Sequence, residues 1–206
     1  MTALAFELPP AREASAPPAQ RDGVRLMIAS PDGIRHARFA ELGEFLRPGD
    51  LLVVNTSGTL SAAVDGVRTS GRAVTVHFAT ALDDGSWVVE VRPRRNATGP
   101  VGDLAAGERI ELPDGVLATV LAPHPPGQVR LWRARIPVDG GVIAYLARAG
   151  RPIRYSYVRG RYSAAAYQTV FAREPGSAEM PSAGRPFTAA LVTELVSRGI
   201  VVAPIL

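Results

Sequence analysis

Apolar and polar positions alternate every second residue through the middle of this chain. Val74, Val76 and Phe78 stand against Thr75 and His77, and Trp87, Val89 and Val91 against Glu90 and Arg92. Six segments read as strands: 61–68, 72–80, 86–92, 108–112, 116–122 and 128–136. Between them lie the turn-forming runs Thr69-Ser70-Gly71, Asp83-Asp84-Gly85, Pro113-Asp114-Gly115 and the proline-rich 123–127. Short strands with one apolar face predict a small antiparallel β-barrel.

The flanks have a different texture. Residues 24–29 and 34–39 read as a hairpin around Pro31-Asp32-Gly33, after a Pro/Ala/Ser-rich loop over 11–19 that shows no sign of chemistry. A short helix over 39–46 is closed by Arg47-Pro48-Gly49, and 51–55 is a near-continuous apolar strand. That strand places Asn55 and Thr56 at its carboxyl end, where open α/β sheets hold ligands. Beyond the barrel, 141–149 reads as a helix with Ile143, Leu146 and Ala147 on one face and Gly150 at C′.

Ser163 can cap a further helix through Phe171, with Tyr167, Val170 and Phe171 on a common face and Glu174-Pro175-Gly176 stopping it. Thr188 is the expected N-cap of a second helix carrying Leu191, Val192, Leu195 and Val196, with Gly199 at its end. The run 200–205 is apolar throughout, the signature of a strand covered on both faces. The expected architecture is mixed α/β: a partial α/β barrel-like domain, 1–58 and 139–206, interrupted by an inserted six-stranded antiparallel β-barrel over 59–138. Its second part reads as cut short at Leu206.

Composition narrows the function classes. A hydrophobic content of 47% is ordinary for a globular protein, and with no cysteine neither disulfides nor thiolate chemistry arise. The first ten residues lack a basic stretch followed by an apolar core, and no run reaches the roughly 20 apolar residues of a membrane span, so a cytoplasmic location is expected. His36, His77 and His124 are scattered without ligand spacing, and there is no nucleophile elbow, P-loop or Gly-x-Gly-x-x-Gly. No metal site and no permanently bound cofactor are expected, and no residue is singled out as acid or base.

The net charge is +4, and all 23 basic residues are arginine. Two readings stand for that total: phosphate recognition, or a GC-rich genome that favours arginine codons. Position says more. Arg148, Arg151, Arg154, Arg159 and Arg161 interleave with Tyr155, Tyr157 and Tyr162, and Arg92, Arg94 and Arg95 form a second cluster. Each is either a solvated basic face or a nucleic-acid contact, with Arg92, Arg94, Arg95, Arg151, Arg154, Arg159 and Arg161 as the candidate RNA-binding set.

The loop over 175–187 is rich in small residues that permit close backbone approach. It reads either as a plain connection or as an anion-receiving site beside the unpaired amides of the next helix. Tyr167-Gln168-Thr169-Val170-Phe171, then Pro175-Gly176-Ser177, then Pro181-Ser182-Ala183-Gly184 with Phe187, resembles the "YQTVY…KPG…PTAGLHF" segment of the S-adenosylmethionine:tRNA ribosyltransferase-isomerases of queuosine biosynthesis. Phe6-Glu7-Leu8-Pro9, the run from Leu46 to Thr56, and Tyr155 after a prolyl segment match as well. The likeness covers the whole chain but only the N-terminal half or so of such an enzyme.

That resemblance implies transfer and isomerisation of the ribosyl moiety of S-adenosylmethionine onto a 7-deazaguanine base in a tRNA anticodon, giving epoxyqueuosine with loss of adenine and methionine. It implies S-adenosylmethionine as donor substrate and the anticodon stem-loop of tRNA as partner, and a monomer is expected. The positions it marks for substrate are Asn55, Thr56, Tyr155, Tyr167, Gln168, Thr169, Pro181, Ser182, Ala183, Gly184 and Phe187. For Tyr167 a core position with a satisfied hydroxyl stands as the alternative.

Two departures are visible. The family's "NNTRV" continues here as Asn55-Thr56-Ser57-Gly58-Thr59, without its arginine. Its "PTAGLHF" becomes Pro181-Ser182-Ala183-Gly184-Arg185-Pro186-Phe187, without its histidine. A non-catalytic or diverged RNA-binding relative is therefore the second reading.

Overall fold

The computed structural model describes residues 7, 9, 12, 14–94, 99–154, 158 and 160–206. Strands β1 (Arg25–Ser30) and β2 (Gly33–Arg38) form the expected hairpin, turning at Gly33 with a φ of 124°. A 3-10 turn, Phe39–Phe45, follows where a short helix was expected. Then come β3 (Leu51–Asn55) and the three-residue β4 (Ser57–Thr59).

The alternating middle closes as expected. β5 (Ala63–Arg68), β6 (Ala73–Ala81), β7 (Trp87–Pro93), β8 (Arg109–Glu111), β9 (Leu117–Pro123) and β10 (Trp132–Arg135) form a closed antiparallel barrel in the order β10-β7-β6-β5-β8-β9. Val64, Val74, Val76, Phe78, Val89, Val91, Ile110 and Val120 fill it. Each such buried side chain contributes about 1.5–3 kcal/mol from burial. Gly66 of β5 has no room for a side chain, because a Cβ there would stand 2.8 Å from the Glu111 carbonyl.

Helix α1 (Val142–Ala149) turns a different face inward from the one its periodicity suggested. Tyr145 and Leu146 are fully buried and join the barrel core, whereas Ile143 and Ala147 face solvent. Gly150 is extended, with φ −99°, rather than left-handed. It is glycine because the chain passes so close to Ser61 that a Cβ would collide with that carbonyl.

The helix expected over 163–171 does not form. Only a 3-10 turn, Ala164–Tyr167, is present, and Val170 points outward. The expected stop signal is instead part of a strand, β11 (Glu174–Ser177), parallel to β4. Pro175 is tolerated there because a two-stranded sheet consists of edges. A 3-10 turn, Ser182–Gly184, leads to α2 (Ala189–Ser197). Thr188 Oγ1 accepts from Leu191 N–H at 3.2 Å, and Gly199 leaves the helix at φ 82°, both as expected.

Finally β12 (Val201–Ile205) pairs in parallel with β3, bringing Leu51 opposite Val201 and Val53 opposite Ala203. The expectation of burial on both faces is corrected here. A second core of Phe187, Leu191, Leu195 and Ile200, with Phe39, Leu42, Leu46 and Leu52 packed against it, lies on one face only. On the other face Leu51, Val53, Val201 and Ile205 are 61%, 54%, 52% and 55% exposed. No helix among the described residues is long and apolar enough to cross a membrane.

Candidate functional site

The segment that failed to become a helix is held by side chains from far along the chain. Gln168 lies alongside the end of β4: its Oε1 accepts Thr59 N–H at 2.9 Å and its Nε2 donates to the Thr59 carbonyl at 2.8 Å. The Thr59 hydroxyl donates to the Tyr167 carbonyl at 2.6 Å. Arg21 then bridges two carbonyls, Gln168 O at 2.7 Å and Ala165 O at 2.9 Å. Two of these carbonyls, those of Ala165 and Tyr167, are ones that an α-helix over 163–171 would have used.

What results is an open groove of about 420 Å³ lined by Arg21, Ala165, Gln168, Thr169, Val170, Phe187, Thr188 and Ala189. Its wall is rigid where it meets the second core, since the Phe187 ring packs edge-on against Phe39 at 4.9 Å and Phe171 at 5.1 Å. Thr169 is only 6% exposed, and its Oγ1 is buried without a hydrogen-bond partner among the described residues. A buried hydroxyl left unpaired costs about 1–3 kcal/mol. Gly184 lets the 182–184 turn rest on Thr169, because a Cβ would lie 3.3 Å from Thr169 Cγ2.

The start of α2 carries its own negative charge. Thr188 Oγ1 donates to the Asp22 carboxylate at 3.2 Å while capping Leu191. An anion at this helix end would therefore meet Asp22 as well as the helix amides.

The sequence-expected substrate residues are thus divided. Gln168, Thr169 and Phe187 converge on the groove. Tyr167 is half-buried and contributes its carbonyl to Thr59. Pro181, Ser182, Ala183 and Gly184 form the turn behind Thr169 and are outside the groove lining. Asn55 accepts Ser57 N–H on its Oδ1 at 2.7 Å, and Thr56 joins β12 and β11 through Ile205, Arg173 and Glu174. Both shape the β3–β4 corner. Tyr155 lies outside the described residues.

Sequence reasoning missed Arg21, Ala165, Val170, Thr188 and Ala189 as groove residues. Arg21 sits just beyond a loop that shows no sign of chemistry, 147 positions from its partner Gln168, so no local pattern marks it.

The two arginine clusters meet on the outer face of the barrel. Arg151 donates to Asp65 at 2.7 Å and Arg94 pairs with the same carboxylate at 3.3 Å, while Thr75 donates to it at 2.8 Å. Partial burial works against the Asp65 carboxylate, but the bonds from Arg151 and Thr75 outweigh it and hold the group below its ordinary range. Nearby, Arg92 and Arg130 both pair with the buried Glu90, at 2.9 and 3.0 Å. Burial, reinforced by Arg92, pushes the half-buried His77 imidazole below its usual value.

Arg94, Arg130 and Arg151 remain half or more exposed despite these pairings. Arg154 donates to the Gly160 carbonyl and Arg161 is exposed, whereas Arg95 and Arg159 lie outside the described residues. Among the described residues no group of His, Asp or Glu is arranged to hold a metal ion.

Comparison with known proteins agrees with the sequence resemblance along the whole chain. The profile of the family described as Queuosine biosynthesis protein matches residues 1–206. S-adenosylmethionine:tRNA ribosyltransferase-isomerase of Azoarcus sp. (strain BH72) is 34% identical over 197 residues, 94% of this chain and 54% of the relative. The proteins of that name from Anaeromyxobacter dehalogenans and Thermus thermophilus are 36% and 32% identical, over 95% and 97% of this chain and 56% and 58% of their own lengths. A crystal structure of S-adenosylmethionine tRNA ribosyltransferase from Thermotoga maritima covers 97% of this chain and 55% of its own, at 23% identity and a TM-score of 0.36. The chain spans a little over half the length of these relatives. It belongs to the queuosine biosynthesis protein family.

Proposed function

We propose that this chain is the part of an S-adenosylmethionine:tRNA ribosyltransferase-isomerase that holds the sulfonium nucleoside and meets the tRNA. The observation that carries this reading is the groove. It is built in part from Gln168, Thr169 and Phe187, three positions of the motifs that the family resemblance rests on.

In this reading S-adenosylmethionine is a consumed donor and no cofactor is permanently bound. The ribosyl group passes, with isomerisation and loss of adenine and methionine, to 7-aminomethyl-7-deazaguanine in the anticodon stem-loop of a cytoplasmic tRNA. The protein is organised as a barrel over 59–138 inserted between α/β parts at 1–58 and 139–206, and it acts as a monomer. Arg94 and Arg151, converging on Asp65, supply a half-exposed basic surface for the RNA backbone.

Incubating the complete natural protein with ribose-labelled S-adenosylmethionine and tRNA bearing the deazaguanine tests the reading. Label in the tRNA supports it, and its absence overturns it. The second reading, an RNA-binding relative without catalysis, is favoured by one observation, Pro186 standing where the family pattern has its histidine. It requires tRNA binding without label transfer.

A further inference from the structure

We propose that Arg21 anchors the carboxylate of the ligand held in the groove, so that the site reads the amino-acid end of a nucleoside-linked amino acid. The inference rests on the proposed function and names the ligand group that one residue recognises.

Arg21 reaches the groove with its orientation already set by the carbonyls of Gln168 and Ala165. Those two bonds fix the plane of the guanidinium but do not neutralise it, because a carbonyl oxygen carries no formal charge. No carboxylate pairs with Arg21 among the described residues, whereas Arg94, Arg130 and Arg151 each have one. A guanidinium has five N–H donors, so three remain after the two bonds to carbonyls. A planar cation fixed in advance matches a carboxylate in two parallel hydrogen bonds and loses little freedom on binding.

The next residue argues against a phosphate backbone at this point. Asp22 places a carboxylate on the groove-lining Thr188, which repels a polyanion but complements an ammonium. A guanidinium in the lining and a carboxylate one hydrogen bond behind Thr188 suit an α-amino acid zwitterion better than a polyanion.

The test measures binding of S-adenosylmethionine and of its decarboxylated analogue, which keeps the amine, to the complete natural protein and to Arg21→Gln and Arg21→Lys. The wild-type protein is expected to bind the analogue on the order of ten- to a hundredfold more weakly than S-adenosylmethionine. Arg21→Gln weakens both ligands through the lost carbonyl bonds but costs S-adenosylmethionine on the order of tenfold more than the analogue, so that the discrimination between them shrinks, and Arg21→Lys restores part of it. A purely structural Arg21 would weaken both ligands equally, and that outcome overturns the inference. A loss of tRNA affinity with unchanged S-adenosylmethionine affinity overturns it too, by assigning Arg21 to phosphate. Should Arg21→Gln not fold, the two ligands on the wild-type protein decide alone, and equal affinity overturns the inference. Absence of any S-adenosylmethionine binding overturns the proposed function itself, whereas binding without discrimination between the ligands overturns only the role of Arg21.

Discussion

The side-chain amide of Gln168 satisfies both backbone polar groups of Thr59, at 2.9 and 2.8 Å, across 109 positions of sequence. A side chain here does the work of a neighbouring strand, continuing the β4 ladder by one residue. Gln168→Ala leaves the partly buried Thr59 N–H and carbonyl unpaired and should destabilise the chain by about 1–3 kcal/mol. Gln168→Glu keeps the acceptor but turns a carboxylate oxygen toward the Thr59 carbonyl, so its loss should be at least as large. Urea unfolding of the two variants beside wild type checks the order.

Arg68 is buried in the barrel wall between Glu108 at 2.5 Å and Asp103 at 2.6 Å. The bond to Glu108 above all, against the opposing effect of burial and with help from Asp103, raises its already high pKa, so it stays charged. Arg68→Ala leaves the little-exposed Glu108 carboxylate without its partner and should cost about 3–5 kcal/mol. Arg68→Met with Glu108→Leu should recover most of that loss. Thermal unfolding of the single and double variants measures the recovery.

Stability should fall in two steps on acidification. His77 is pushed below its ordinary 6.5, so the unfolded chain takes up a proton first, and stability present above about pH 6.5 declines below it. The Glu108 carboxyl is held below its ordinary 4.5 by Arg68, and Asp65 below 3.8, where bonds from Arg151 and Thr75 override its burial. Their contribution is present above those values and is lost as pH falls through the lower folded-state ones. Urea midpoints from pH 8 to 3 should show both limbs, and His77→Gln should flatten the upper one. An unchanged upper limb in that variant would count against the assignment.

The barrel and the last helix were legible because their signals are local. Alternation at Val74–Phe78, turn residues at Gly71 and Gly85, the cap at Thr188 and the left-handed Gly199 each act within a few residues. The stretch 163–177 was not legible. Its helical spacing of Tyr167, Val170 and Phe171 was overridden by Arg21, Gln168 and Thr59, whose bonds span more than a hundred positions. Gly150 shows a subtler miss. Glycine after a helix suggested a left-handed cap, but the residue is extended and is required by the approach of Ser61. At the site, Gln168, Thr169 and Phe187 were marked by the family resemblance, whereas Arg21 carries no mark in its own neighbourhood.

The two faces of the β3–β12 sheet should respond differently to substitution in this 206-residue chain. Leu195→Ala opens a cavity under the covered face, where Leu195 is fully buried, and should cost about 2–5 kcal/mol. Val53→Thr on the bare face should change stability by less than about 0.5 kcal/mol. Denaturant midpoints of the two variants make the comparison.

Adenine release from S-adenosylmethionine tests the ribosyl transfer proposed for this protein at its first bond broken. The complete natural protein is incubated with the donor, with and without tRNA bearing 7-aminomethyl-7-deazaguanine, and adenine is followed by chromatography. Adenine is expected only when both substrates are present, in step with modified tRNA. No adenine above an enzyme-free blank, with tRNA still bound, would contradict the proposed transfer and leave an RNA-binding relative in its place.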